Sequence, residues 1–204
     1  MKINNVFVLL IALFLMACGG NKSNSDSDIE NQSNLNIPDD AIYGIEQGYL
    51  KFTSTSGNIR EVWFTDYGNT QYVEVYSYLE GELVGFRSWI LDGYKYDMNI
   101  GSTEMSRMPY VPEVATRYYK LDKRERADHE IEKIGNENYL GYYCDLFLTQ
   151  RPVPTTSWVY KGISLKKNSD FRNVEANMQA VEFKQTLEDF SMFELPEDVE
   201  IAGL

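Results

Sequence analysis

The chain has 204 residues, 31 of them acidic and 19 basic, for a formal net charge of −12. That balance excludes the basic footprint of a nucleic-acid binder and disfavours adsorption to anionic lipid headgroups. With two cysteines and one histidine, the chain is also too poor in ligands for a disulfide scaffold or a zinc site.

The chain opens on Met1-Lys2-Ile3-Asn4-Asn5, and an unbroken apolar stretch runs from Val6 to Ala17. A short basic region before an apolar run of this length reads as a secretion signal over residues 1–17. Twelve residues make roughly 18 Å of helix, against a hydrocarbon core of about 30 Å, so the stretch is too short for a span. It ends in Leu15-Met16-Ala17-Cys18-Gly19, which resembles the bacterial lipobox. In that motif the cysteine thiol takes a diacylglycerol, and small neighbours let a peptidase reach the bond before it. Cys18 is therefore the expected lipidation site, and the membrane is the expected partner through its acyl chains. Two or three chains, at about 0.8 kcal/mol per buried CH₂, exceed what stable anchoring needs. No aspartate follows Cys18, which favours an outer-membrane lipoprotein, facing the periplasm or exported to the cell surface. Residues 19–40, rich in Asn, Ser and acidic side chains with only three aliphatic ones, read as a tether that cannot bury enough to order itself. As a flexible coil the tether spans roughly 25 Å.

Residues 41–204 hold every tyrosine and tryptophan of the chain and suit one domain. Period-2 alternation predicts a meander of five strands. These are Tyr49–Ser54, Ile59–Thr65, Gln71–Leu79, Val84–Leu91 and a strand from Tyr94 to Ile100, joined by turns at Ser56-Gly57-Asn58, Asp66-Tyr67-Gly68-Asn69, Glu80-Gly81-Glu82 and Asp92-Gly93. In the third strand Val73, Val75 and Leu79 share one face, and Tyr72, Tyr76 and Tyr78 the other. Pro109 and Pro112 break the pattern, and part of Val114–Ile134 is expected to be helical up to Gly135-Asn136. Strands resume at Tyr139, where Cys144 shares parity with Leu140, Tyr142, Leu146 and Leu148. Cys144 is therefore expected inside the core as a small hydrophobe. Further strands are expected around Ser157–Tyr160, Ile163–Lys166 and Val174–Phe183, and Phe190–Ile201 reads as an edge piece or closing flap. About nine strands with one modest helix imply a mainly β fold: a curled antiparallel sheet, an incomplete barrel with one or a few short helices.

Four stretches carry a resemblance: Tyr43-Gly44-Ile45-Glu46-Gln47-Gly48-Tyr49, Trp63 to Gly68, Gly135 through Cys144, and Trp158 to Lys166. In that order they resemble Bacteroidetes lipoproteins with a domain similar to the LolA/LolB lipoprotein carriers. Ser164 stands where that pattern carries proline. The resemblance implies a half-barrel sheet over short helices, with an apolar cavity for lipid or lipoprotein acyl chains. The cavity-lining residues expected on this basis are Trp63, Phe86, Trp89 and Met98. The alternative reading is a surface or periplasmic interaction module that stacks Tyr72, Tyr76 and Tyr78 on protein or glycan.

Chemistry points to a non-enzyme. His129 lies in a charged run beside Asp128 and Glu130, and neither a Gly-x-Ser-x-Gly elbow nor a phosphate loop is present. Asp66, Asn69, Asp92, Asp97 and Asn99 lack the spacing of a calcium loop, and turn chemistry explains them. No catalytic residue, cofactor, metal or nucleic-acid partner is expected, and nothing in the sequence sets an oligomeric state.

Overall fold

A computed structural model describes residues 37–112, 120–150, 152–171, 174–175 and 177–202. The signal segment, Cys18, the tether up to residue 36, and residues 113–119 of the expected helix lie outside the described residues. Residues 37–204 form one compact unit. All the strands and all three hydrophobic clusters described below fall within it, so this unit carries its own core.

The first half is a meander of six strands: β1 (Gly48–Ser54), β2 (Ile59–Thr65), β3 (Thr70–Leu79), β4 (Glu82–Leu91), β5 (Tyr94–Asn99) and β6 (Glu104–Pro109). The sixth was not expected from the sequence, and Pro109, read there as a break, is its last residue. The second half runs α1 (Lys123–Asp128), β7 (Ile131–Tyr139), β8 (Tyr142–Thr149), β9 (Thr155–Tyr160), β10 (Ile163–Phe171), β11 (Val174–Glu175), β12 (Met178–Lys184) and β13 (Glu200–Ala202). The sheet order is β13-β6-β5-β4-β3-β2-β1-β12-β10-β9-β8-β7, with β11 beside β10. β12 thus joins the two meanders, pairing antiparallel with β1 (Ser54 opposite Met178) and with β10 (Lys167 opposite Met178). The pairing is antiparallel except at one edge, where β13 runs parallel to β6.

Local chemistry explains the hairpins. Asp92-Gly93 and Lys161-Gly162 both take left-handed backbone at both turn positions, with φ 50° and 77°, and 47° and 82°. This is the two-residue turn whose twist matches that of the flanking strands. The helix is one short piece held by a capping box. Asp122 Oδ1 accepts from Glu125 N at 2.8 Å, and Glu125 Oε2 accepts from Asp122 N at 2.9 Å.

Three expectations are corrected here. Gly135-Asn136 does not end a helix: it lies inside β7, at a register shift between Lys133 and Gly135. Leu140 does not share the inward row of Cys144, because it occupies a turn position with φ 51° and is exposed. The Val174–Phe183 stretch is strand at both ends but forms two strands rather than one. Cys144 itself is fully buried, as its parity implied.

The sheet is strongly curled and does not close. Tyr139 on β7 donates its hydroxyl to the Ala180 carbonyl on β12 at 2.8 Å. These strands are four steps apart, roughly 19 Å in a flat sheet, which is beyond the reach of one tyrosine. The Tyr142 and Phe183 rings also meet, at 5.0 Å, although three strand steps separate them. The main cluster accordingly joins both halves, with Leu50, Phe52, Val62, Phe64 and Val73 in one cluster with Leu165, Ala180, Cys144 and Trp158. A second cluster packs Leu121, just before α1, on Ile131, Phe147 and Val159. A third sits on the other side of β3–β5: Tyr72, Trp89, Met98 and Met105 lie against Met192, Phe193, Leu195 and Val199 of the C-terminal segment.

Candidate ligand cleft

Register separates the two faces of β1–β5. Leu50, Val62, Val73 and Ser88 stand opposite one another in turn, and Val75 stands opposite Phe86. This face lines a partly enclosed cleft of about 420 Å³. Its floor is apolar, formed by Leu50, Phe52, Val62, Val73, Val75 and Ile90. Ile163, Ser164 and Met178 from the second half complete the wall.

One end of the cleft is closed by the segment from Ile42 to Ile45. Ile42 N and Tyr43 N both donate to the Tyr67 carbonyl, at 2.9 and 2.7 Å, and Gly44 N donates to the Lys161 carbonyl at 2.8 Å. A side chain at Gly68 would begin 2.5 Å from the Tyr43 ring, so only glycine lets the strap lie this close. Three of the stretches that carry the family resemblance therefore meet at one place, each supplying backbone to the same closure.

The polar groups of the cleft are few. Gln71, buried, donates its amide to the Gly68 carbonyl at 2.7 Å. Ser88 donates to Asp97, and Asp97 also pairs with Lys95 at 2.8 Å. Arg60 and Lys167 bring two more positive charges. Burial pushes the Tyr43 phenol up to about 12, against the pull of the neighbouring Arg60 charge.

Of the four residues expected to line the cavity, Phe86 does so. Trp63 and Trp89 do not: they belong to the opposite face, in a row of stacked rings. Centroids are 5.0 Å apart from Tyr49 to Trp63, 5.3 Å from Trp63 to Tyr72 and 5.1 Å from Tyr72 to Trp89. The row is held underneath by the C-terminal segment, where Trp89 donates its indole N–H to the Met192 carbonyl at 2.9 Å. Met98 is buried in that same cluster and borders a separate, more open depression beside Met105 and Ala202. The tyrosine face is likewise not one surface. Tyr72 is buried, Tyr76 is half-buried and Tyr78 is 68% exposed. The hydroxyls are occupied where the rings are covered: Tyr49 donates to Glu61 at 2.8 Å and Tyr72 to Glu74 at 2.5 Å. Burial first, and then these carboxylates, raise both phenols well above the ordinary tyrosine range.

Of the other candidates of the sequence, Asp97 is half-buried in β5, bonded to Ser88 and Lys95. His129 is exposed at the end of α1. Asp66 accepts from Asn69 N within a single 3-10 turn. Sequence reasoning missed Arg60, which stands between Phe52 and Val75 on the cleft face. A charge at an otherwise apolar parity position was the signal available for it.

No family profile and no curated protein matches the sequence. Solved structures do. An uncharacterised conserved protein from Thermus thermophilus superposes with a TM-score of 0.55 at 12% identity, over 77% of this chain and 90% of that one. The MucA/MucB complex of Pseudomonas aeruginosa matches with a TM-score of 0.45 at 11% identity, over 78% of this chain and 58% of its own. This chain therefore spans little more than half the length of that one. A DUF1329 family protein from Desulfovibrio piger gives 0.28 at 8% identity, over 72% and 88%. The Thermus match shows a shared fold and nothing of function, and the two lower superpositions carry no argument about this chain. The curled, open sheet agrees with the architecture that the LolA/LolB resemblance implies.

Proposed function

We propose that this chain is a lipid-anchored, non-catalytic binding protein that holds an apolar ligand, such as a lipid or acyl chain, in the cleft between the strap and the curled sheet. The observation that carries this reading is the cleft itself. Its volume falls within the roughly 300–1,000 Å³ of small-molecule sites, and its wall is predominantly apolar with a few converging polar groups. A packed β domain whose only task was structural would fill such a space, because each void forfeits contact energy. Anchoring through Cys18 at the outer membrane places the cleft near its ligand source, one tether length from the bilayer.

The experiment is native mass spectrometry of residues 37–204 purified from a bacterial host. A co-purifying mass released by organic solvent and identified as fatty acid or phospholipid supports the reading. A protein that is apo, and remains apo after incubation with lipids, overturns it. Anchoring is tested apart from this, on the full chain: labelling with an alkyne fatty acid is expected in the native sequence and absent in Cys18→Ser.

One observation favours a second, protein-binding role. The β3–β4 hairpin leaves Tyr78 and Leu83, cross-strand neighbours on one face, exposed near its tip, and adjoining exposed apolar side chains mark interaction sites. Tyr78→Ser with Leu83→Ser should then abolish cross-linking to a partner in cells without changing ligand occupancy of the cleft.

A further inference from the structure

The cleft is unusual for this protein in its charge. The chain carries 31 acidic residues against 19 basic ones, yet the charged side chains that line the cleft are Arg60, Lys95 and Lys167, with no carboxylate among the lining residues. Lys95 pairs with Asp97 at 2.8 Å. Arg60 differs. Its Nε is buried without a hydrogen-bond partner, and Arg60 forms no ion pair among the described residues.

The surroundings of Arg60 explain why its Nε finds no acceptor within the fold. Its cross-strand partners are Phe52 on β1 and Val75 on β3, both apolar. The carboxylate next to it in sequence, Glu61, points to the other face, where it accepts from Tyr49 at 2.8 Å and pairs with Lys51 at 3.0 Å. A guanidinium cannot shed its charge at ordinary pH, and a buried donor left unmatched is costly. Such a group in a cleft calls for an acceptor that comes from outside the protein.

The volume sets the size of that ligand. A methylene group takes up about as much room as a water molecule, whose share of liquid volume is ~30 Å³, and the cleft measures about 420 Å³. The space is that of on the order of fourteen chain atoms, which is one acyl chain rather than the two or three of a diacyl lipid or a lipoprotein.

Resting on the reading of the cleft as an apolar-ligand site, we infer that its occupant is a single-chain anionic amphiphile. The aliphatic tail lies along Leu50, Val62 and Val73, and the carboxylate or phosphate headgroup accepts from the Arg60 guanidinium. The pairing is a charge-assisted hydrogen bond, the kind that discriminates between charged and neutral headgroups.

The test is calorimetric titration of residues 37–204 with laurate, dodecyl phosphate and dodecanol, which share a chain and differ in headgroup. At least one anion is expected to bind about tenfold tighter than the alcohol, and the tighter of the two identifies the headgroup as carboxylate or phosphate. Arg60→Gln should bring the anions down to the affinity of dodecanol and leave dodecanol unchanged. Arg60→Lys, which keeps the charge, should retain most of the preference and serves where the glutamine variant fails to fold. Equal binding of acid and alcohol, or a preference that survives in Arg60→Gln, overturns the headgroup assignment while the cleft reading stands. Binding of none of the three overturns the cleft reading itself.

Discussion

Trp89 offers a direct test of the two-faced sheet. Its side chain is 3% exposed, stacks on Tyr72 and donates its indole N–H to the Met192 carbonyl in the C-terminal segment. Trp89→Phe keeps an aromatic ring against Tyr72 but removes the donor and shortens the side chain. The lost hydrogen bond contributes about 1 kcal/mol, and the gap left by the smaller ring about another 1 kcal/mol. The sum of roughly 2 kcal/mol, divided by a urea slope of about 2 kcal/mol/M, predicts a fall of the unfolding midpoint by about 1 M. Hydrogen exchange should accelerate in the Ser191–Ala202 region before it does so in β1–β3, because the bond ties that segment to the sheet. Ligand affinity should stay unchanged, since the indole stands on the face away from the cleft. A midpoint shift below about 0.3 M with unchanged exchange would refute the latch. A selective loss of ligand binding in a stable variant would return Trp89 to the cavity.

Three further outcomes follow from the packing. Val73→Trp adds bulk in the middle of the cleft floor and should abolish the co-purifying ligand at an overpacking cost of about 1–3 kcal/mol, checked by mass spectrometry beside circular dichroism. Gly85→Ala places a Cβ 2.0 Å from the Val75 carbonyl oxygen and 2.8 Å from the Tyr76 Cα. Those atoms are backbone and cannot rotate away, so the loss should lie near the upper end of about 1–3 kcal/mol, read from the urea midpoint. The third concerns alkaline pH. Burial raises the Cys144 thiol from 9.0 to about 11 and the Tyr43 phenol from 10.0 to about 12. The folded state then holds these protons more tightly than the unfolded chain. Their contribution is complete below about pH 9 and is lost as pH rises, first through 9–11 for Cys144 and then through 10–12 for Tyr43. The urea midpoint should therefore decline over this range, and Cys144→Ala should flatten its lower part. A midpoint that rises between pH 9 and 11 in the native sequence would contradict the buried, protonated thiol.

Much of the architecture is written in local pattern. Alternation from Tyr49 to Ile100, with Asp92-Gly93 and the turn at Asp66–Asn69 between strands, was enough for the meander, because side-chain period and turn chemistry act over a few residues. Cys144 was legible for the same reason, as a small residue in an apolar row. Leu140 was not, since the two-residue turn takes it out of that row. β6 and β7 were obscured by Pro109 and by Gly135, which read as breaks but sit at a strand end and at a bulge. These are the positions where strands tolerate such residues.

The site shows the limit of that reading. Trp63, Phe86, Trp89 and Met98 are all large and apolar, and size carries no information about which face a residue takes. Val75 and Phe86 share the cleft face while Tyr72 and Trp89 share the opposite one, and only the β3–β4 register states this. A shift of one residue would exchange the two sets. By itself the sequence determined an apolar N-terminal stretch ending in a lipobox-like motif at Cys18, a strand pattern, and a domain too poor in histidine and cysteine for a zinc centre. The tertiary structure decided which half of the aromatics became core and which surface the curl turned into a cleft. It also decided that the Arg60 Nε would be buried there without an acceptor. The reason is physical: curl, closure and burial depend on pairings between strands far apart in the chain, such as Tyr139 with Ala180, and no local window contains both partners.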